Sequence, residues 1–552
     1  MSASPIAAVW QALWHAHDRT KQLLAFAVGR GEASARTTEG KPNLTVEEQR
    51  PPSRRPAYRP AQMIGLVLGP TLFLAIMAIA TPTGMTPEAK AVLASTLWIA
   101  TWWITEAIPI PATSLLPIIL FPLTGALETK AVTAAYGNDT IFLFLGGFLI
   151  ALAMERWNLH KRIALSIISV IGTSTERIVL GFMVSTGFLS MWISNTATAM
   201  MMVPIGTAII YQVSEAFARE HNRIIKQQDF QFGKAMMLGI AYSASIGGLG
   251  TLIGTPPNTI LAAVVDEMYG VKISFATWML FGVPLVVILL SLAWLYLVKV
   301  AFKMETKQLP GGSKLIEEQK EELGRATYEE KMVFAVFITA AFLWISRSFL
   351  INKWLPAVDD TIIAIFAAAV LFLIPSRNSR GKFLLDWEVT KQLPWGILLL
   401  FGGGLAIAAG FKETGLADWI GEQLTVMQGV HFVLILAVVT ALVIFLTEIT
   451  SNTATATMIL PIMAALATAM NVHPYSLMIP AAIAASCAFM LPVATPPNAV
   501  VFAANYLKMT DMAKAGFWIN IVSVIIIVAL VYFWLPVSWG IDLTSFPAIF
   551  KP

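Results

Sequence analysis

Cysteine and charge are the scarce components of this chain. One cysteine, Cys487, occurs in 552 residues, which excludes a disulfide framework and a cysteine-built metal site. The six histidines are scattered and offer no metal cluster. No helix-borne His-Glu-x-x-His, no Gly-x-Ser-x-Gly elbow and no Gly-rich Lys loop is present, so the sequence gives no grounds for an intramembrane enzyme. Charged residues make up 13%, where a soluble domain carries about a quarter. In their place, 57% of the residues are hydrophobic and the mean hydropathy is +0.71. A soluble fold cannot cover that much apolar surface with so little polar material, so a bilayer must be the solvent. The net charge is +4, and beyond the N-terminal arm the basic residues sit in the short loops between apolar spans. That placement signals topology, not a nucleic-acid surface.

Residues 1–60 read as a cytoplasmic, largely disordered basic arm, with Arg30, Arg36, Lys41, Arg50, Arg54, Arg55 and Arg59 among Ser, Thr, Gly and Pro. Its first half, Ile6 to Val28, has the pattern of an interfacial amphipathic helix and lacks the apolar core and cleavage site of a secretory signal. A bilayer crossing takes about twenty helical residues. Eleven crossings are expected, beginning near Met63, Lys90, Ala107, Thr140, Gly233, Phe275, Lys331, Thr361, Trp395, Tyr475 and Gly516. Two further apolar stretches, 177–213 and 431–469, are too long for one crossing and break midway at a polar triplet. Each is expected to form a re-entrant hairpin.

The loop charges favour this count, although Lys130, Lys272, Arg347, Lys353 and Lys412 fall in loops that it places outside. With the arm inside, the cytoplasmic loops hold Arg156, Lys161 and Arg162, then Arg219, Arg223, Lys226 and Lys234, the run from Lys299 to Lys331, then Arg377, Arg380, Lys382 and Lys391, and finally Lys508 and Lys514. The expected organisation is a first span and first repeat over 61–300, a cytoplasmic linker over 301–330, a second repeat over 331–540 and an external tail over 541–552.

A duplicated motif carries the chemistry. Ser190 is followed by Ser194-Asn195-Thr196 and later by Gly254-Thr255-Pro256-Pro257-Asn258; Thr447 is followed by Ser451-Asn452-Thr453 and later by Ala494-Thr495-Pro496-Pro497-Asn498. The order is the same in both halves, and the span count gives the two hairpins opposite orientations, an inverted-topology repeat. Irregular backbone at membrane depth survives only where protein or a watery cavity satisfies it, so two hairpin tips and two broken helices should meet at a central cavity. A helix starting after each triplet presents unpaired N–H groups and a positive dipole end to an anion. Unwound Gly247, Gly248, Gly250 and Gly254 free carbonyl oxygens, which with the hydroxyls of Ser190, Ser194, Thr447 and Ser451 suit a hard cation such as sodium. One such triplet alone would more often be helix-packing glue. Two, in one order and opposite orientation, favour a site.

At these residues the sequence resembles the divalent anion/sodium symporter family. The segment Ala485-Ser486-Cys487-Ala488-Phe489-Met490-Leu491-Pro492-Val493-Ala494-Thr495-Pro496-Pro497-Asn498-Ala499-Val500-Val501 is similar to that family's signature, and Trp102-Trp103-Ile104-Thr105-Glu106-Ala107-Ile108-Pro109 is similar to a second family segment. The resemblance covers roughly residues 60 to 540. It implies an all-α integral membrane homodimer with scaffold and transport domains and elevator-type movement. It implies one sodium site at Ser190, Ser194, Asn195 and Gly254, and a second at Thr447, Ser451, Asn452 and Ala494. Substrate carboxylates would meet Asn195, Thr196, Thr255, Asn452, Thr453 and Thr495.

The expected function is therefore sodium-coupled symport of C4 dicarboxylates such as succinate, malate and fumarate, with sodium as the coupling ion and no organic cofactor. The expected place is a cell's inner (plasma) membrane, N-terminus inside and C-terminus outside. The alternatives are a sodium-independent dicarboxylate exchanger, a sodium/sulfate symporter and, from another class, an anion channel built on re-entrant hairpins. Glu448, beside Thr447, is either a proton carrier or a structural carboxylate held by backbone N–H groups or a nearby cation, with the second favoured because the first hairpin has no acid there. Glu106 reads as structural. Arg347 and Lys353 read as snorkelling anchors in preference to anion attractors. Trp102, Trp103, Trp344, Trp354 and Trp395 read as interfacial belts.

Overall fold

The computed structural model describes residues 58–550 apart from 173, 222–225, 305–311, 379–382 and 428. The N-terminal arm up to residue 57 and part of the linker lie outside the described residues. Among the described residues the regular structure is helical and no strand forms.

The first half contains α1 (Pro60–Ala78), α2 (Pro87–Thr105), α3 (Asp139–Arg156), α4 (Leu159–Ile171), α5 (Thr175–Ser190), α6 (Asn195–His221), α7 (Gln231–Gly248), α8 (Pro256–Tyr269) and α9 (Phe275–Leu295). The second contains α10 (Tyr328–Ser346), α11 (Asp360–Leu373), α12 (Trp395–Glu413), α13 (Leu416–Leu424), α14 (Phe432–Thr447), α15 (Asn452–Ala469), α16 (Tyr475–Ala485), α17 (Pro496–Ala503) and α18 (Met509–Ala529). Among the described residues, seven helices are long and apolar enough to cross a membrane, and four shorter apolar stretches accompany them.

Several segments differ from the sequence expectation, each for a local reason. The span expected near Ala107 is two short helices, Ile110–Thr113 and Leu116–Leu123. Pro109, Pro111, Pro117 and Pro122 crowd this stretch, and each removes a backbone donor. The span expected at Tyr475 stops after eleven residues and stays unwound until Pro496. Two short helices, α4 and α13, were not anticipated. Asn158 and Gly415, both with left-handed backbone, turn the chain into them.

The apolar core runs through both halves, and the halves interlock: α6 and α7 pack on α17, while α8 packs on α15. Trp103 and Trp344 sit in this core, each 1% exposed, and are not belt residues. Trp103 Nε1 donates to Ser114 Oγ at 3.2 Å and Trp344 Nε1 to Asp360 O at 3.0 Å. Hydropathy alone reports an apolar environment and does not separate lipid from protein.

Arg347 is likewise neither an anchor nor an attractor. Its guanidinium grips Asp360, with Nε to Oδ1 at 2.6 Å and Nη2 to Oδ2 at 3.2 Å, and the two side chains are 13% and 9% exposed. Asp360 Oδ2 also accepts the Phe275 backbone N–H at 2.8 Å, tying α11 to the start of α9. Removing one member of a buried pair strands the other charge, at a cost of about 3–5 kcal/mol. Arg347→Ala is therefore expected to lower the thermal unfolding midpoint in detergent by many degrees, whereas Lys353→Ala leaves it in place.

Candidate functional site

Both expected interruptions are present. In the first hairpin α5 ends at Ser190, residues 191–194 turn, and α6 starts at Asn195. In the second, α14 ends at Thr447 and α15 starts at Asn452. Ser194 Oγ caps α6 by accepting the Ala197 N–H at 3.2 Å, a role serine favours at this position. The unwound segments after α7 and α16 end at Thr255 and Thr495, both extended, and a proline opens each following helix. Proline fits there because the first turn's N–H has no partner to lose.

One cavity of about 750 Å³ brings these four breaks together. Ser194, Asn195, Thr196, Gly254, Thr255, Ser451, Asn452, Thr453, Ala494 and Thr495 all line it. Ser190 and Thr447 do not; both are fully buried behind the tips. Their hydroxyls make matching contacts. Ser190 Oγ lies within hydrogen-bond reach of Asn195 Oδ1 and of Ala244 O, the latter at 2.6 Å. Thr447 Oγ1 reaches Asn452 Oδ1 and Ala485 O, each at 2.8 Å.

The last residue of each Thr-Pro-Pro-Asn motif has a role the sequence reading did not assign. Asn258 Nδ2 donates to Gly248 O at 3.2 Å and Thr251 O at 2.8 Å; Asn498 Nδ2 donates to Ala488 O and Leu491 O, both at 3.0 Å. The two amides thus hold the unwound backbone at the same spacing in both halves, through carbonyls ten and seven residues upstream. That offset became readable only once the helix break was located. Thr255 Oγ1 lies 3.2 Å from Ser486 Oγ and joins the halves directly.

Glu448 takes the position of a structural carboxylate. Oε1 accepts N–H bonds from Phe489 at 2.7 Å and Met490 at 2.9 Å, and Oε2 accepts from Leu491 at 3.1 Å. Asn520 Nδ2 adds a fourth donor at 2.7 Å. The buried charge is compensated by donors on the unwound segment and α18, which is what such a charge needs in a low-dielectric interior.

The charged side chains on the cavity wall are Arg59 and Glu106, and Gln62 lies with them. Gln62 Nε2 donates to Glu106 O at 3.0 Å, placing the start of α1 beside the end of α2 on this wall. The hairpin tips carry no cationic side chain. Four helix N-termini border the cavity instead, those of α6, α8, α15 and α17, each equivalent to roughly half a positive charge. Behind the first tip, outside the cavity lining, lies an aromatic stack: Trp192 stacks on Phe275 at 5.9 Å, and Phe275 stacks on Trp344 at 4.8 Å.

Residues 61–540 match the model of the sodium:sulfate symporter transmembrane region. The chain belongs to that family of divalent anion/sodium symporters. It is a membrane transporter and not an enzyme. Among its relatives is the sodium-dependent dicarboxylate transporter SdcS of Staphylococcus saprophyticus, 55% identical over 492 residues, which span 89% of this chain and 94% of that one. SdcS of Staphylococcus aureus is 54% identical over 495 residues, 89% of this chain and 95% of the relative. Two solved transporters share the symporter's fold at low identity. The Alcanivorax borkumensis YdaH transporter has a TM-score of 0.53 at 14% identity, over 81% of this chain and 99% of that one. Neisseria gonorrhoeae MtrF has a TM-score of 0.52 at 11% identity, over 87% and 95%.

Proposed function

We propose that this symporter carries C4 dicarboxylates into the cell on a sodium gradient. The observation that carries this reading is the single cavity into which both duplicated motifs open, lined by oxygens and helix N-termini and free of cationic side chains at the tips. The names of the SdcS relatives supply sodium and dicarboxylate as the matching pair.

Two sodium positions follow the paired motifs. In the first, the Asn195 side chain ends against Ser190 Oγ, Ala244 O at 3.1 Å and Gly254 O at 3.3 Å. Hydrogen bonding alone would turn the amide nitrogen towards these two carbonyls. A cation among them turns the amide oxygen inward instead, and oxygen donors of this kind are those a hard cation selects. Ser194 completes the set. The second position uses Thr447, Ser451, Asn452 and Ala494 in the same arrangement. The carboxylates then meet Asn195, Thr196 and Thr255 at one end and Asn452, Thr453 and Thr495 at the other, between opposed helix N-termini. Since positive charge at the hairpin tips comes from dipoles and bound sodium, sodium binds first and completes the anion site.

The movement belongs to the same reading. The repeats are inverted, α1–α3 and α10–α12 form a scaffold that pairs two protomers, and the hairpins with α7–α9 and α16–α18 slide against it as an elevator. The protein sits in the plasma membrane with its N-terminus inside, which makes the state seen here, with its cavity walled by the start of α1, inward-facing.

Uptake of labelled succinate into proteoliposomes tests the proposal. An inward sodium gradient should drive accumulation, with malate and fumarate competing strongly and sulfate weakly. Uptake driven only by internal dicarboxylate, indifferent to sodium, would indicate an exchanger; single-channel currents would indicate a channel.

A further inference from the structure

The two halves hold one register yet pack differently. Asn158, Leu159, Thr175, Ser190 and Asn195 stand at the same structural points as Gly415, Leu416, Phe432, Thr447 and Asn452, each pair at one constant separation along the chain. In the first half, α4 packs on α5, and Gly181 of α5 comes so near that a Cβ there would lie 3.3 Å from Ile168 Cα. Its counterpart in the second half, Val438 of α14, is 58% exposed.

There α13 packs on the other hairpin arm, α15, where a Cβ at Gly421 would lie 3.2 Å from Ala465 O. The first-half counterparts of that contact, Ala164 and Ala208, do not match it: Ala164 is buried but Ala208 is exposed. A second contact behaves likewise. Gly404 of α12 leaves no room for a Cβ against Thr457, which is fully buried, whereas Met200, standing where Thr457 stands, is 53% exposed and Gly147 faces Ile253.

The missing contact leaves a space. A cavity of about 370 Å³ separates the α3–α4 corner, at Glu155 and Asn158, from the first hairpin, at Ala197, Thr198 and Met200. Ala454, Thr455 and Thr457 of the second hairpin, at the corresponding positions, are all buried.

We propose that α4 and α13 exchange the hairpin arm on which they pack. In the state opposite to this one, α4 leaves α5 for α6, Met200 seats on Gly147 and the cavity behind the first hairpin closes. In the same step α13 leaves α15 for α14, which covers Val438. The physical basis is that two arms of like sequence register offer each connector two packings, of which each half displays one. Packed interfaces switch between discrete arrangements and do not deform continuously. This inference rests on the sliding movement proposed above, and it names the surfaces that exchange.

Two double variants test it in proteoliposomes: Ala164→Cys with Ala208→Cys, and Thr425→Cys with Val438→Cys. The second pair is exposed at both positions, so the substitutions leave the fold and the transport residues untouched. Oxidation with copper phenanthroline should cross-link both pairs in protein that is turning over, read as protection of two thiols from a maleimide mass tag. Uptake should be lost on oxidation and restored by reduction. If neither pair cross-links while sodium-driven uptake runs normally, the exchange is wrong and the transport reading stands. If both cross-link but no sodium-driven dicarboxylate uptake is found, the exchange stands and the substrate or coupling reading falls.

Discussion

Replacing Asn195 or Asn452 with alanine is expected to abolish sodium-driven dicarboxylate uptake while leaving a folded protein. Each side chain faces the cavity and also contacts the buried hydroxyl behind its hairpin tip. In the proposed site each serves a sodium ion and a carboxylate at once, so its loss removes a ligand from two charged partners. An interaction with a charged group is worth about 1.5–3 kcal/mol, and losing two in a coupled site multiplies the effect on affinity by several powers of ten. Stability should move little, because both residues are only half-buried. Size-exclusion and thermal-melt traces like those of the parent protein, with uptake at background, are the expected pair of results; normal uptake by either variant contradicts the site.

Gly254→Ala is expected to be nearly as damaging, and to show that the two halves are not equivalent. A Cβ at this position would lie 2.5 Å from Gly248 O, and one at Gly248 would lie 2.8 Å from Asn195 Oδ1. The two glycine backbones and the Asn195 amide are therefore pressed together around the proposed first sodium. Overpacking of this kind costs about 1–3 kcal/mol. Here it is relieved by displacing the carbonyl oxygens that bind the cation. The second half already carries Ala494 at the corresponding place. Ala494→Gly should be close to neutral, whereas Gly254→Ala should raise the sodium concentration for half-maximal uptake at least several-fold. Equal and small effects from both substitutions would remove Gly254 from the proposed ligand set.

Much of the architecture was legible because the two interruptions are written in residue types that helices avoid. The Ser-Asn-Thr triplets and the Thr-Pro-Pro-Asn motifs mark the ends of α5, α7, α14 and α16, and the structure places breaks there. Gathering them in one cavity followed from the need to satisfy unwound backbone away from lipid. What stayed unread depends on long-range partners. The pairing of Arg347 with Asp360 needs the direction of two side chains, which local hydropathy does not carry. The burial of Trp103 and Trp344 needs to know that protein, not lipid, surrounds them. Helices α4 and α13 are short and amphipathic, so a search for twenty-residue apolar runs passes over them. Asn258 and Asn498 were visible as motif members, but their hold on the upstream carbonyls exists only once the preceding helix has ended.

The central claim is that sodium completes the anion site, since no cationic side chain stands at the hairpin tips to do so. Its most direct test is equilibrium binding of succinate to the purified protein, titrated calorimetrically in sodium chloride and again in choline chloride at equal ionic strength. Saturable binding in sodium and none in choline is the predicted result; equal affinity in both would contradict it.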